Sequence, residues 1–175
     1  MADESAKPIW LLDVDGVLNA FDETRPVLGD WDDWKTFTAR GFLIRYSPAM
    51  VGRILALHDA GKVEVQWLTT WGHMANTELK ELGFPEFTVA AEQPFRERDG
   101  WWKYPTAKRL FELGHAIVWT DDDIPYCSDA VRWLRDVKGS ERSNDLRAYA
   151  PQGALSAQAR QALCRLGDAS YCDDE

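Results

Sequence analysis

Three places in the chain put polar, reactive residues at the end of an apolar run. Ile9-Trp10-Leu11-Leu12 gives way to Asp13-Val14-Asp15-Gly16, a run from Val63 to Leu68 ends in Thr69-Thr70, and a run from Ala116 leads through Thr120 into Asp121-Asp122-Asp123. Asp13 and Asp15 belong to the same alternation of strand side chains, so both lean the same way. Two carboxylates held close raise each other's pKa unless a positive charge lies between them. The pair therefore calls for a cation, a proton or a catalytic task. Gathered on one edge, these carboxylates and hydroxyls form an all-oxygen set that suits a hard divalent cation, Mg²⁺ above all. No histidine or cysteine stands at these run ends, which argues against zinc. A carboxylate beside Mg²⁺ can attack phosphorus and form an aspartyl phosphate.

These residues meet only if the elements carrying them run in parallel. Residues 9–14 read as a central strand, apolar almost throughout. Residues 34–46 read as a β-hairpin with Gly41 helping the turn. Ser47-Pro48 opens a helix with a capping residue and a proline in the first turn. Its apolar stripe is Met50, Val51, Ile54, Leu55 and Leu57, and Gly61 stops it. A strand over 63–68, a helix around 73–82 closed by Gly83 and a short strand over 87–91 follow. A helix then starts near Pro105 and ends before Gly114. A strand over 116–120, a helix over 128–138 with Val131 and Leu134 inward, a strand over 145–150 and a helix capped by Ser156 and ending at Gly167 complete the expectation. Strands alternating with helices imply a parallel sheet with right-handed crossovers. The fold expected is α/β, a three-layer α/β/α sandwich with a Rossmann-like parallel sheet. Ligands bind such sheets beyond the carboxyl ends of the strands, where all three polar groups fall. Helices starting just after those strands present free N–H groups to a phosphate.

A phosphoryl site also needs a lysine, and Lys103 and Lys108 are the candidates. The helix between them begins on the active edge and runs away from it. At ~1.5 Å rise per residue Lys108 starts ~7 Å further off, which favours Lys103.

Asp13-Val14-Asp15-Gly16-Val17-Leu18-Asn19, a strand ending in Thr69, an upstream Lys103 and a strand ending in Asp121-Asp122 together resemble the four motifs of the haloacid dehalogenase (HAD) superfamily. Their order and spacing match over residues 9–123. The segments WLTTWGHMAN, VWTDDD and LSAQARQALCRL also look like a small, capless bacterial and phage branch related to HAD domains of RNA-repair proteins. The resemblance implies Asp13 as nucleophile and metal ligand. It implies Asp15 as the acid for the leaving oxygen and then the base for water, with its backbone carbonyl on the metal. Thr69, helped by the Thr70 N–H, would hold phosphoryl oxygens, with Gly16 and Trp71 beside the substrate. Lys103 would neutralise charge, and Asp121 and Asp122 would carry Mg²⁺ directly or through water. Which of Asp121, Asp122 and Asp123 touches the metal stays open, since Thr120 stands where glycine is commoner.

Each residue has a plainer reading. Asp13-Val14-Asp15-Gly16 is also a strand-to-turn sequence, Thr69 is also a β-former, and Asp123 also caps a helix. His73 suits a surface or capping role, and His58 and His115 carry no signal. Most of the nine tryptophans suit packing. Trp31, Trp34, Trp71, Trp101 and Trp102 lie in loops near the edge and are the candidates for stacking on a substrate ring.

Composition bounds the rest. The 175 residues, 45% apolar and 28% charged, suit one domain, residues 1–175, with a real core. A net charge of −9 argues against a nonspecific grip on nucleic acid. No apolar run is long enough to span a bilayer and no signal-peptide pattern precedes Ile9. Cys127, Cys164 and Cys172 read as free thiols of a reducing cytoplasm. HAD enzymes acting on small molecules usually carry a cap domain. Here only residues 19–46 are inserted, as a hairpin flap. An open site admits a phosphorylated substrate that is large or accessible, such as a nucleotide or a nucleic-acid end. Arg96 and Arg98, with Lys103 and two tryptophans, offer a local footprint for one, and a solvated charged loop is the plainer account. The function expected is a Mg²⁺-dependent phosphohydrolase. The alternative is a catalytically weak HAD module that binds a phosphorylated ligand or protein partner. Oligomeric state is left open.

Overall fold

The computed structural model describes residues 7–20, 31–94 and 101–149. The expected helix from Ser156 to Gly167, the loop with Arg96 and Arg98, and Cys164 and Cys172 lie outside them. Five parallel strands form one sheet in the order β5-β4-β1-β6-β7. They are β1 (Ile9–Leu12), β4 (Glu64–Trp67), β5 (Thr88–Val89), β6 (Ile117–Thr120) and β7 (Leu146–Tyr149). A separate antiparallel hairpin joins β2 (Lys35–Ala39) to β3 (Phe42–Tyr46).

The period of two in β1 divides the core. Trp10 and Leu12 enter one apolar cluster with Met50, Val51, Ile54 and Leu57 of helix α1 (Pro48–Asp59). Ile9 and Leu11 enter another with Ala107, Leu110 and Phe111 of α3 (Lys103–Glu112) and Ala130, Trp133 and Val137 of α4 (Ser128–Lys138). Helices thus cover both faces of the sheet, an α/β arrangement compatible with a Rossmann-like fold. Trp10, Trp67 and Trp119 are fully buried. At ~25 cal/mol per Å² and roughly 150–250 Å² each, every one contributes about 4–6 kcal/mol of transfer free energy. Among the described residues no helix is long and apolar enough to cross a membrane.

Several boundaries differ from expectation. β1 stops at Leu12, two residues early, so Asp13 and Asp15 are not on one strand face. The helix expected over 73–82 is a short α2 (Met74–Glu78) followed by a 3₁₀ turn (Lys80–Leu82), with Gly83 at φ 93°. α3 begins at Lys103, ahead of Pro105, because proline is tolerated in a first turn where its missing N–H has no partner to lose. In α4 the buried stripe is Ala130, Trp133 and Val137. Leu134 packs against the same cluster, as expected, and Val131 lies at its margin. Leu55 is likewise at the margin of the α1 stripe. Ser47 caps α1, its oxygen accepting the Met50 N–H at 3.1 Å.

The chain leaves β1 towards β4 and β5, then returns to place β6 on the other side of β1. The sheet therefore reverses its winding between β1 and β6, and loops diverge there to leave a crevice. Asp13 follows β1 and Asp121 follows β6 at that point.

Candidate active site

Lys103 is the centre of the site. Its Nζ donates to Asp13 Oδ2 at 2.8 Å and to Asp121 Oδ2 at 2.7 Å, and all three groups are buried. As the first residue of α3 it enters from the crevice edge, between the rings of Trp101 at 5.7 Å and Trp102 at 6.0 Å. Trp101 is itself fixed by stacking on Trp119 at 5.2 Å. Lys108 lies further along the helix and pairs with the exposed Glu112, four residues on. The helix thus starts at the crevice edge, and it brings Lys103, not Lys108, to the carboxylates.

Asp13, Asp121 and Asp122 each present an oxygen within 4.8 Å of the others. Asp13 Oδ1 accepts the Val14 N–H at 2.8 Å, and the Thr69 side chain acts to lower the pKa of this carboxylate. Asp121 Oδ1 accepts the Asp123 N–H at 3.0 Å. Three carboxylates share one lysine, and burial dominates their titration. It pushes Asp13 up against the opposing pull of Lys103. It pushes Asp121 up to about 8, with Asp13 adding to the rise and Lys103 opposing it. Asp122 rises to about 6 through burial, then through Asp123 and Asp13. Burial alone would lower Lys103, but Asp13 and Asp121 more than offset this and raise it. One cation is too few for this cluster. An all-oxygen set with unbalanced negative charge fits a hard divalent cation such as Mg²⁺.

Asp15 stands apart from that triad. Its Oδ2 accepts the Trp71 indole N–H at 2.8 Å and its Oδ1 accepts the Asn19 amide at 3.1 Å. The residue is half-buried, in a tight turn closed by a bridge between Asp15 and Asn19. Thr69 is fully buried, and its oxygen accepts the Trp71 N–H at 3.3 Å. Thr70 is exposed and lines a cavity with Asp15 and Trp71. Gly16, expected beside a substrate, makes room for a carboxylate. Its φ is 74°, and an added Cβ would come within 2.2 Å of the Asp122 carboxyl.

The remaining expectations sort by burial. Trp31 and Trp71 are buried, and Trp34, Trp101 and Trp102 are partly buried against the core. His73 is exposed, 3.7 Å from Glu92, and Cys127 is a free thiol. Two contributions had no signal in the sequence. Asn19 holds Asp15. Thr120 knits β1 to β6, its oxygen accepting the Trp10 indole N–H at 3.0 Å while its hydroxyl reaches the Leu11 carbonyl at 3.4 Å.

No family model, curated protein or solved structure matches the chain. The geometry of the site is therefore what bears on function.

Proposed function

We propose that the chain is a Mg²⁺-dependent phosphohydrolase of the haloacid dehalogenase type, working through an aspartyl phosphate on Asp13. The observation that carries the reading is the buried Asp13–Lys103–Asp121 arrangement, with Asp122 completing an oxygen cluster. A structural ion pair needs two charges. Four ionisable groups at the crevice where the winding reverses, three of them acids, are costly unless they serve a ligand.

Asp13, Asp121 and Asp122 would hold Mg²⁺, with the Asp15 backbone carbonyl as the further oxygen the resemblance implies. The ion would supply charge neutralisation for the carboxylates and the phosphoryl oxygens. The chain's own residues do the rest. An Asp13 oxygen attacks phosphorus, forming one P–O bond as the bond to the leaving oxygen breaks. Asp15 gives that oxygen its proton. Lys103 offsets charge on Asp13 and on the transferring group. The Thr69 hydroxyl and the Thr70 N–H orient phosphoryl oxygens. Asp15, now a carboxylate, takes a proton from water as the water attacks phosphorus, which releases inorganic phosphate and restores Asp13. The β2–β3 hairpin serves as a flap beside Asp15. With no large cap the site admits a nucleotide or a nucleic-acid end.

The test is turnover of p-nitrophenyl phosphate by the full chain. Mg²⁺ is expected to activate, EDTA to abolish turnover and re-added Mg²⁺ to restore it. Full activity in chelator would overturn the site. Binding of phosphate esters without any turnover would point instead to a phosphate-binding module.

A further inference from the structure

Asp15 lines a cavity of about 360 Å³ whose other walls include Arg40, Phe42, Leu43, Thr70 and Trp71. If Asp15 protonates the leaving oxygen, whatever fills this cavity is the leaving group, an assignment that rests on the proposed hydrolysis. Phe42 and Leu43 are 66% and 68% exposed, two large apolar side chains side by side at the hairpin turn. The hairpin that carries them is anchored. Ala39 and Ile44 of the hairpin are buried, and the Arg40 N–H donates to Glu78 Oε2 of α2 at 3.1 Å.

Arg40 is an odd residue for its place. It and Gly41 are the two central residues of the turn, at φ 54° and 80°. Positive φ at both positions favours Asn-Gly, and among the described residues Arg40 alone adopts it without being glycine. Strain kept against an easy alternative points to a task for the side chain. The guanidinium sits 6.0 Å from the centre of the Trp71 ring, and it is the one cation among the residues lining the cavity. A planar cation lining an apolar cavity suits a flat aromatic ring, which a guanidinium stacks upon. A sugar or short alkyl alcohol would leave those walls uncovered.

We propose that this cavity is the leaving-group site and that it takes a nucleoside, its base against Phe42 and Leu43 beneath Arg40. The substrates would then be nucleoside phosphate monoesters. Adenosine 5′-monophosphate and ribose 5-phosphate present the same primary alcohol and differ by the base. With Mg²⁺, the wild-type chain is expected to prefer the nucleotide by about tenfold or more in kcat/KM, chiefly through KM. In Arg40→Asn, and in Phe42→Ser combined with Leu43→Ser, that ratio should fall towards one. Arg40→Asn relieves the turn, so its Tm should hold or rise, which separates loss of the ratio from loss of the fold. Equal use of the two esters by the wild type, or a ratio unmoved in the variants, overturns the proposal. Calorimetric titration of both esters into Asp13→Asn with Mg²⁺ reads the same preference without turnover. Tighter nucleotide binding there supports the cavity even if p-nitrophenyl phosphate is never hydrolysed, and equal affinities reject it.

Discussion

Asp13 and Asp15 are two residues apart and do not share an environment. Asp13 is buried against Lys103, whereas Asp15 is half-buried and held by an indole and an amide. That division suits one nucleophile and one proton carrier. Trp71 then positions the acid, and its loss has a distinctive signature. p-Nitrophenolate leaves with little help, whereas an alkoxide needs its proton. General acids contribute about 10²–10⁴-fold, and loosening one forfeits part of that. In Trp71→Phe, turnover of an alkyl phosphate should fall by roughly tenfold or more, and that of p-nitrophenyl phosphate by much less. Equal losses on both esters would assign Trp71 to packing alone. The residue types of this site were legible in the sequence because acids and hydroxyls end three apolar runs in turn, although each also has a plainer use alone. The Trp71–Asp15 and Asn19–Asp15 bonds were not. They depend on how a tight turn after β1 meets the loop after β4, which no local pattern encodes.

At the scale of elements, the start of α3 decides which lysine serves the site. Lys103→Ala should cost about 10²–10³-fold in kcat, as loss of one charge-stabilising donor does. It should also lower stability by about 3–5 kcal/mol, since it leaves buried carboxylates without their counter-charge. Lys108→Ala removes an exposed pair and should leave stability and activity nearly unchanged. Comparable losses from the two, read by kcat and by chemical denaturation, would contradict this placement of the helix. The spacing from Lys103 to Lys108 made their order legible before the helix start was. The strands were legible too, since Ile9-Trp10-Leu11-Leu12 and Ile117-Val118-Trp119-Thr120 are apolar on both faces, as central parallel strands must be. Their ends were less so. β1 stops at Leu12 because the next residues turn towards Asn19, and apolar character continues through Val14 without marking that turn. On α4 Leu134 reaches the core as its spacing implies, whereas Val131 stays at the margin.

For the whole molecule, the oxygen cluster couples stability to pH and to metal. Burial raises Asp121 to about 8 and Asp122 to about 6, against 3.8 for an ordinary carboxyl, and raises Asp13 as well. Between about pH 4 and 8 the folded chain therefore holds protons that the unfolded chain has released, and stability falls as pH rises through that window. The raised Lys103 works in the same direction but only at high pH, since its stabilisation is complete below its ordinary 10.5 and is lost as pH rises beyond it. Chelator-treated protein should thus lose Tm from pH 5 to 8. Mg²⁺ should restore it, and by more at pH 8, where fewer protons must be displaced. Asp121→Asn with Asp122→Asn should flatten both responses. A metal-free Tm that holds or rises across this window would contradict the charge balance drawn for the site. The central claim is that phosphorus is carried by Asp13, and its most direct test is to catch it there. Protein mixed with a radiolabelled phosphate monoester and Mg²⁺, quenched in acid within one turnover and digested, should carry label on the peptide containing Asp13. With p-nitrophenyl phosphate as the ester, whose leaving group needs little protonation, the label should accumulate in Asp15→Asn, which lacks the base for hydrolysis, and be absent in Asp13→Asn. Turnover with no label on that peptide, or an Asp13→Asn chain that hydrolyses normally, would contradict it.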